Sequence, residues 1–110
     1  MKTLLVLRHA KSSWSEPGLE DHERPLNERG RRDAPRMGDL LREYGLIPDV
    51  VLSSDAVRAR LTAEAVTDAA RYAGEILLDP RLYMASPADI RSLLATVREN
   101  AETVMIVGHN

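Results

Sequence analysis

Cysteine is absent from these 110 residues, which removes disulfides, thiolate metal sites and a cysteine nucleophile from consideration. An excess of one charge is lacking as well. Fifteen Lys and Arg stand against 17 Asp and Glu, for a net charge of −2 and an isoelectric point near 5.9. Nothing here resembles the basic face with which nucleic-acid binders neutralise phosphates, so no nucleic-acid partner is expected and any anion site must be local. Long hydrophobic runs are missing too. The apolar opening over residues 4–7 stops at Arg8, too soon for a signal segment or a membrane span, which predicts a cytoplasmic protein with no membrane partner. There is no internal repeat and no low-complexity tract. The length and a hydrophobic content of 44% predict a single domain over residues 1–110 with a modest two-faced core.

What is present begins with short apolar, β-branched runs stopped by polar residues or glycine. Residues 3–7, 49–52 and 103–107 read as fully buried strands, and 75–78 as a shorter one ending at Asp79-Pro80. Between the first two, residues 11–26 carry Pro17, Gly18 and Pro25 without a sustained period and read as a long loop leaving the strand end. Asn27 can cap a helix over about 28–44, which Gly45 and Pro48 terminate; Pro35 inside it predicts a kink or a late start. A second helix is expected over about 56–72, with Val57, Leu61, Ala65 and Ala69 as its buried stripe and Arg58, Arg60 and Glu64 off it. Ser86-Pro87-Ala88-Asp89 is a strong start for a third, running to about Arg98. The alternation predicts an α/β fold: a three-layer α/β/α arrangement with a mostly parallel central sheet.

Ligands of such sheets bind beyond the carboxyl ends of the strands. There the first strand delivers Arg8 and His9, the last delivers Gly108-His109, and the strand at 49–52 leads through Ser53-Ser54 to Arg58 in the first turn of a helix. Singly, each has a plain explanation: a hydrogen-bonded loop histidine, a solvated helix arginine, a histidine at the end of a strand. Together they describe a cationic, imidazole-rich rim, and Gly108 would let backbone approach a ligand closely. Lys11 and Arg24 read as solvated charges, with a place on the rim as the alternative, and Trp14 as a half-buried loop anchor, with substrate contact as the alternative.

The segments Leu7-Arg8-His9-Ala10, Ser53-Ser54-Asp55-Ala56-Val57-Arg58-Ala59 with Thr62-Ala63-Glu64, and Gly108-His109-Asn110 resemble, in order and spacing, the three signatures of the histidine phosphatase (phosphoglycerate mutase-like) superfamily. More narrowly, residues 8–14, 24–30 and 82–87 resemble the small phosphohistidine phosphatases of the SixA type. The resemblance covers the whole chain, and it implies a domain that continues for several tens of residues past the second histidine motif. It implies His9 as the nucleophile that forms a phosphohistidine intermediate, with Arg8, Arg58 and His109 as catalytic and phosphate-binding partners, and no metal or other cofactor. Clustered positive charge would favour the neutral imidazole that attack requires.

The wider superfamily supplies a carboxylate after the third strand to protonate the leaving oxygen, whereas residues 79–84 contain no glutamate. Asp55, Asp79, Glu16, Glu20 and Asp21 are candidates only by position, each more simply a solvated charge or a helix cap. A missing acid disfavours alkyl phosphate esters, whose alkoxide needs a proton, and suits a phosphoramidate such as phosphohistidine. The short connection over residues 79–102 leaves no room for a helical lid. The expected activity is therefore a metal-independent phosphatase acting on phosphohistidine of a phosphorylated protein. The alternatives are a phosphatase for small phosphate or pyrophosphate compounds and a non-catalytic phosphate-binding module.

Overall fold

A computed structural model describes residues 3–9 and 18–109. The readings of Lys11, Trp14 and Glu16 fall outside the described residues. In chain order the elements are β1 (Thr3–Arg8), α1 (Glu28–Glu43), β2 (Val50–Ser53), α2 (Val57–Ala70), β3 (Ile76–Leu78), α3 (Pro87–Leu94) and β4 (Thr103–Gly108), with short 3-10 turns at Asp21–Glu23 and Pro80–Leu82. The four strands form one parallel sheet in the order β1-β4-β2-β3. One face packs on α1 and α2 through Val51, Met105, Val107, Ala59, Ala63 and Val66. The other packs through Leu52 and Ile106 on Leu82 and Leu93. This is the α/β architecture that the alternation of patterns predicts, but β1 is not the fully buried strand expected: it lies at the sheet edge, where Leu5 and Leu7 pack on the core while Leu4 and Val6 are exposed. No helix among the described residues is long and apolar enough to cross a membrane.

The helix ends follow their local chemistry. The Asn27 side chain accepts the Gly30 N–H at 2.8 Å, and Gly45, at φ 68°, turns the chain out of α1 while the Leu46 N–H closes back on the Leu41 carbonyl. As the Asn27 cap predicts, α1 begins at Glu28, and of the two alternatives for Pro35 the late start is not realised, since the proline lies inside the helix. The ring removes one backbone bond, and the helix tolerates this because its buried residues Gly30, Ala34, Gly38 and Leu41 stay together on one face. The Ser86 capping box forms as expected, but α3 stops at Leu94 instead of Arg98. Both the amide and the hydroxyl of Thr96 bond the Leu93 carbonyl, and this local alternative competes with another helical turn.

The buried stripe of α2 is corrected. It consists of Arg58, Ala59, Thr62, Ala63, Val66, Thr67 and Ala70, one residue round from the expected Val57, Leu61, Ala65 and Ala69. Helix α1 comes so close that a Cβ on Gly38 would collide with the Val66 carbonyl oxygen and stand 2.7 Å from the Ala69 Cβ. Only small side chains fit such a crossing, so the alanine-rich face turns inward and takes Arg58 with it. The threonine hydroxyls on that face donate to the Arg58 and Ala63 carbonyls, leaving no unmet polar group.

Three backbone bonds align the carboxyl ends of the strands: His9 N–H to Gly108 O at 3.0 Å, Ser54 N–H to Val107 O at 2.9 Å, and Asp79 N–H to Ser53 O at 2.8 Å. With β4 seated between β1 and β2, the segments beyond the ends of these three strands are neighbours. The tight helix crossing is directly testable. Gly38→Ala should lower stability by about 1–3 kcal/mol through overpacking, read from the urea midpoint; an unchanged midpoint would contradict so close a crossing.

Candidate active site

The register sets Arg8 opposite Gly108, so His9 and His109 leave adjacent strands side by side, with ring centroids 5.3 Å apart. Arg58 joins them from the first turn of α2. Its Nη2 lies 3.3 Å from His109 Nδ1, and its Nε donates to His9 Nε2 at 3.4 Å. A guanidinium can only donate, so both ring nitrogens present lone pairs to it. The His109 proton then resides on Nε2, which donates to Ser54 Oγ at 2.9 Å, while the same oxygen accepts the Ala56 N–H. Ser54 thus orients His109. Burial first, and the positive charge of Arg58 next, push the His109 pKa down to about 4.

Of the four expected residues, His9, Arg58 and His109 converge. The Arg8 side chain is exposed, and no hydrogen bond or ion pair among the described residues joins it to the other three. Arg8 instead lines an open cavity of about 140 Å³ with Leu7, Asp33, Met37 and Thr62.

Arg58 is only 4% exposed, and a charge so buried needs a partner. The partner is Asp21, brought in by the 3-10 turn: Nη2 donates to Oδ2 at 2.8 Å and Nη1 to the Asp21 carbonyl at 2.5 Å. The same carboxylate accepts the Tyr83 hydroxyl on Oδ2 and the Arg24 guanidinium on Oδ1. Two expectations are corrected here. Arg24, read as a solvated charge, is buried at 7% exposure on Asp21, and Asp21, read as a solvated charge or helix cap and weighed as an acid, is a three-way acceptor. The Tyr83 hydroxyl, then Arg24 and Arg58, hold the Asp21 carboxyl far below the usual carboxylate range, so it is ionised near neutral pH and has no proton to give.

Tyr83 and His22 escaped the sequence reading. The Tyr83 ring meets His109 edge-on at 5.1 Å and His22 edge-on at 5.3 Å, so all three histidines of the chain gather around one centre. His22 Nε2 is 3.0 Å from Asp55 Oδ1, and this carboxylate is the main cause of its raised pKa. The other carboxylates considered as acids are placed elsewhere: Asp79 caps the turn at Pro80–Leu82 and pairs with Arg81, and Glu20 is exposed. The signal available in the sequence was the scarcity of histidine. A third copy beside an acid-rich stretch, Glu20-Asp21-His22-Glu23, was worth weighing.

The chain belongs to the histidine phosphatase superfamily (branch 1), whose family model matches residues 4–86. Within that family it is of the SixA type. A SixA protein from Agrobacterium tumefaciens superposes with a TM-score of 0.89 at 37% identity, over 100% of this chain and 71% of that one. A second, from Nakamurella multipartitia, gives 0.86 at 33%, over 98% and 59%. Among sequence relatives, an uncharacterised protein of Mycobacterium tuberculosis is 43% identical over 105 residues, covering 94% of this chain and 62% of that protein. An uncharacterised chloroplast protein of Arabidopsis thaliana is 43% identical over 65 residues, covering 59% and 30%. The chain thus spans less than two thirds of the length of these two relatives.

The pKa shifts set a pH dependence with a defined sign. His109 titrates near 6.5 when unfolded and near 4 when folded, so its contribution to stability is present above 6.5 and lost as pH falls through 4. The raised pKa of His22 acts in the opposite sense: its contribution is present below 6.5 and lost as pH rises through the folded value. Histidine NMR titration should therefore give an inflection for His109 near pH 4 and one for His22 above 6.5. A His109 that titrates at or above 6.5 would remove the burial and Arg58 contact as its controlling influences.

Proposed function

We propose that this chain is a phosphatase that works through His9 without a metal, and that its substrate is phosphohistidine on a protein. The observation that carries the reading is the Arg58 guanidinium held between His9 Nε2 and His109 Nδ1 beyond the carboxyl ends of β1 and β4. A neutral imidazole with its lone pair beside a guanidinium edge is the pairing that in-line phosphoryl transfer needs: a nucleophile, and donors for the oxygens of the transferring group.

In the proposed reaction, the His9 Nε2 lone pair forms a bond to phosphorus as the substrate P–N bond breaks. The substrate nitrogen keeps that electron pair, takes a proton from solvent and departs as neutral imidazole. Water then attacks phosphorus, the P–Nε2 bond breaks, and His9 recovers its lone pair while inorganic phosphate and a proton are released. Arg58 holds the equatorial oxygens during both steps, while neutral His109, anchored by Ser54 through Nε2, orients the guanidinium through its Nδ1 lone pair.

Two features support a phosphoramidate on a protein. Asp21 and Asp55, the carboxylates nearest the centre, are both engaged, Asp21 as an acceptor on Arg58 and Asp55 on His22, so neither is set to protonate an alkoxide. The connection between β3 and β4 holds a short turn and the eight-residue α3, which is little material to cover the rim against a folded partner. The Agrobacterium relative also carries the name phosphohistidine phosphatase. A second reading, small phosphate compounds, draws on a phosphoglycerate mutase of Nocardioides that is 44% identical over 70 residues, covering 62% of this chain and 28% of that enzyme.

Brief exposure to a phosphoryl donor should leave acid-labile phosphate on the wild-type protein and none on His9→Ala; a His9→Ala protein that still acquires the label refutes the assignment. Arg58→Ala should lower kcat/KM by roughly 100- to 1,000-fold, the scale for removing a donor that stabilises transition-state charge. Faster turnover of sugar phosphates than of phosphohistidine protein would select the second reading.

A further inference from the structure

The Arg58 guanidinium is gripped by Asp21 on one edge and turned toward the two histidines on another. Its Nη1 and Nη2 are engaged by the Asp21 carbonyl and Oδ2, whereas its Nε and Nη2 face His9 Nε2 and His109 Nδ1 at 3.4 and 3.3 Å. A guanidinium has five donors in a rigid planar fork, and a phosphoryl group binds it bidentately across two adjacent nitrogens. Because the Asp21 edge and the histidine edge share only Nη2, a carboxylate on the first does not fill the second.

We propose that Asp21 is a positioning residue, clamping Arg58 from behind so that its Nε–Nη2 edge faces the phosphoryl group carried between His9 and His109. The assignment rests on the phosphoryl-transfer reading of the site. Asp21 can do this because it is itself held: Tyr83 donates to Oδ2, and Arg24 donates to Oδ1 through Nε and Nη2. An arginine side chain has a large rotamer entropy to lose on being fixed. A clamp formed before substrate arrives removes that loss from the binding step, and it keeps the nucleophile and the oxygen-binding donors in one geometry. Tyr83 contributes twice, since its ring also meets His109 edge-on at 5.1 Å while the Arg58 guanidinium lies 6.0 Å from the ring centroid. Residues 21, 58 and 83 thus link the segment after β1, the start of α2 and the segment after β3 through one carboxylate.

The opposite possibility is that Asp21 is an internal anion, which a phosphoryl group must displace. The two ideas predict opposite signs. The test titrates tungstate, an inert phosphate analogue, into wild type, Asp21→Asn and Tyr83→Phe, each confirmed as folded by circular dichroism. Asparagine keeps the shape and an acceptor oxygen but removes the charge, so Asp21→Asn should bind tungstate roughly tenfold or more weakly, the scale of a hydrogen bond to a charged group. Tyr83→Phe should weaken binding less, and the double variant should lose less than the two separate effects combined, because both act on the same arginine. In NMR spectra of the arginine side chains, the Arg58 Nε–H signal should be sharp in wild type and broadened in Asp21→Asn, a change that loss of stability alone does not produce in a folded variant.

Unchanged or tighter tungstate binding by Asp21→Asn overturns the positioning role. If that variant does not fold, Tyr83→Phe decides: unchanged affinity overturns the proposal and weaker affinity supports it. Turnover is measured separately, because a wild-type protein that binds tungstate but does not hydrolyse phosphohistidine refutes the proposed function while the binding comparison still reports on Asp21.

Discussion

The buried charge of Arg58 is the constraint on which this site depends. Taking a guanidinium out of water costs several kcal/mol unless its donors are met, and here each contact that meets them comes from a different part of the chain. Asp21 arrives from the segment after β1, and His9 and His109 from the ends of adjacent strands. The need to neutralise one side chain therefore draws the 3-10 turn at Asp21–Glu23 down against α2 and gives Tyr83 a fixed acceptor. The same requirement explains why Arg24 is buried, since its guanidinium completes the far side of the same carboxylate.

A second constraint lies beneath the first. Arg58 faces inward because α2 is turned to set Ala59, Ala63 and Ala70 into the core as α1 crosses at Gly38. A bulkier residue at that crossing would rotate or displace the helix and carry the arginine with it. Packing between two helices on one face of the sheet thus sets the position of a charged group at the end of the sheet. The alignment is completed by the backbone bonds that pin His9 and Ser54 to β4, with Ser54 fixing the tautomer of His109.

Much of the scaffold was legible in the residues themselves. Continuous β-branched runs bounded by glycine and polar residues identify β1, β2 and β4, and the Asn27 and Ser86 caps locate two helix starts to the residue, because those signals are local in origin. The convergence of His9, Arg58 and His109 was legible for a topological reason: parallel strands deliver the residues beyond their carboxyl ends to one rim. Illegible features are those in which a distant partner decides. The rotation of α2 depends on the close approach of α1, the end of α3 on a hydroxyl bond that competes with another turn, and the role of Asp21 on an arginine 37 positions away.

The sequence by itself determined the α/β class, the strand ends and the histidines and arginines available there, since periodicity, caps and residue chemistry act over a few neighbouring positions. Only the tertiary structure decided that β4 enters between β1 and β2, that His22 and Tyr83 join the site, and that Asp21 answers the charge of Arg58. The physical reason is that a buried charge is satisfied in space, by whichever groups the fold brings within hydrogen-bonding distance, and no local pattern in the chain records which those will be.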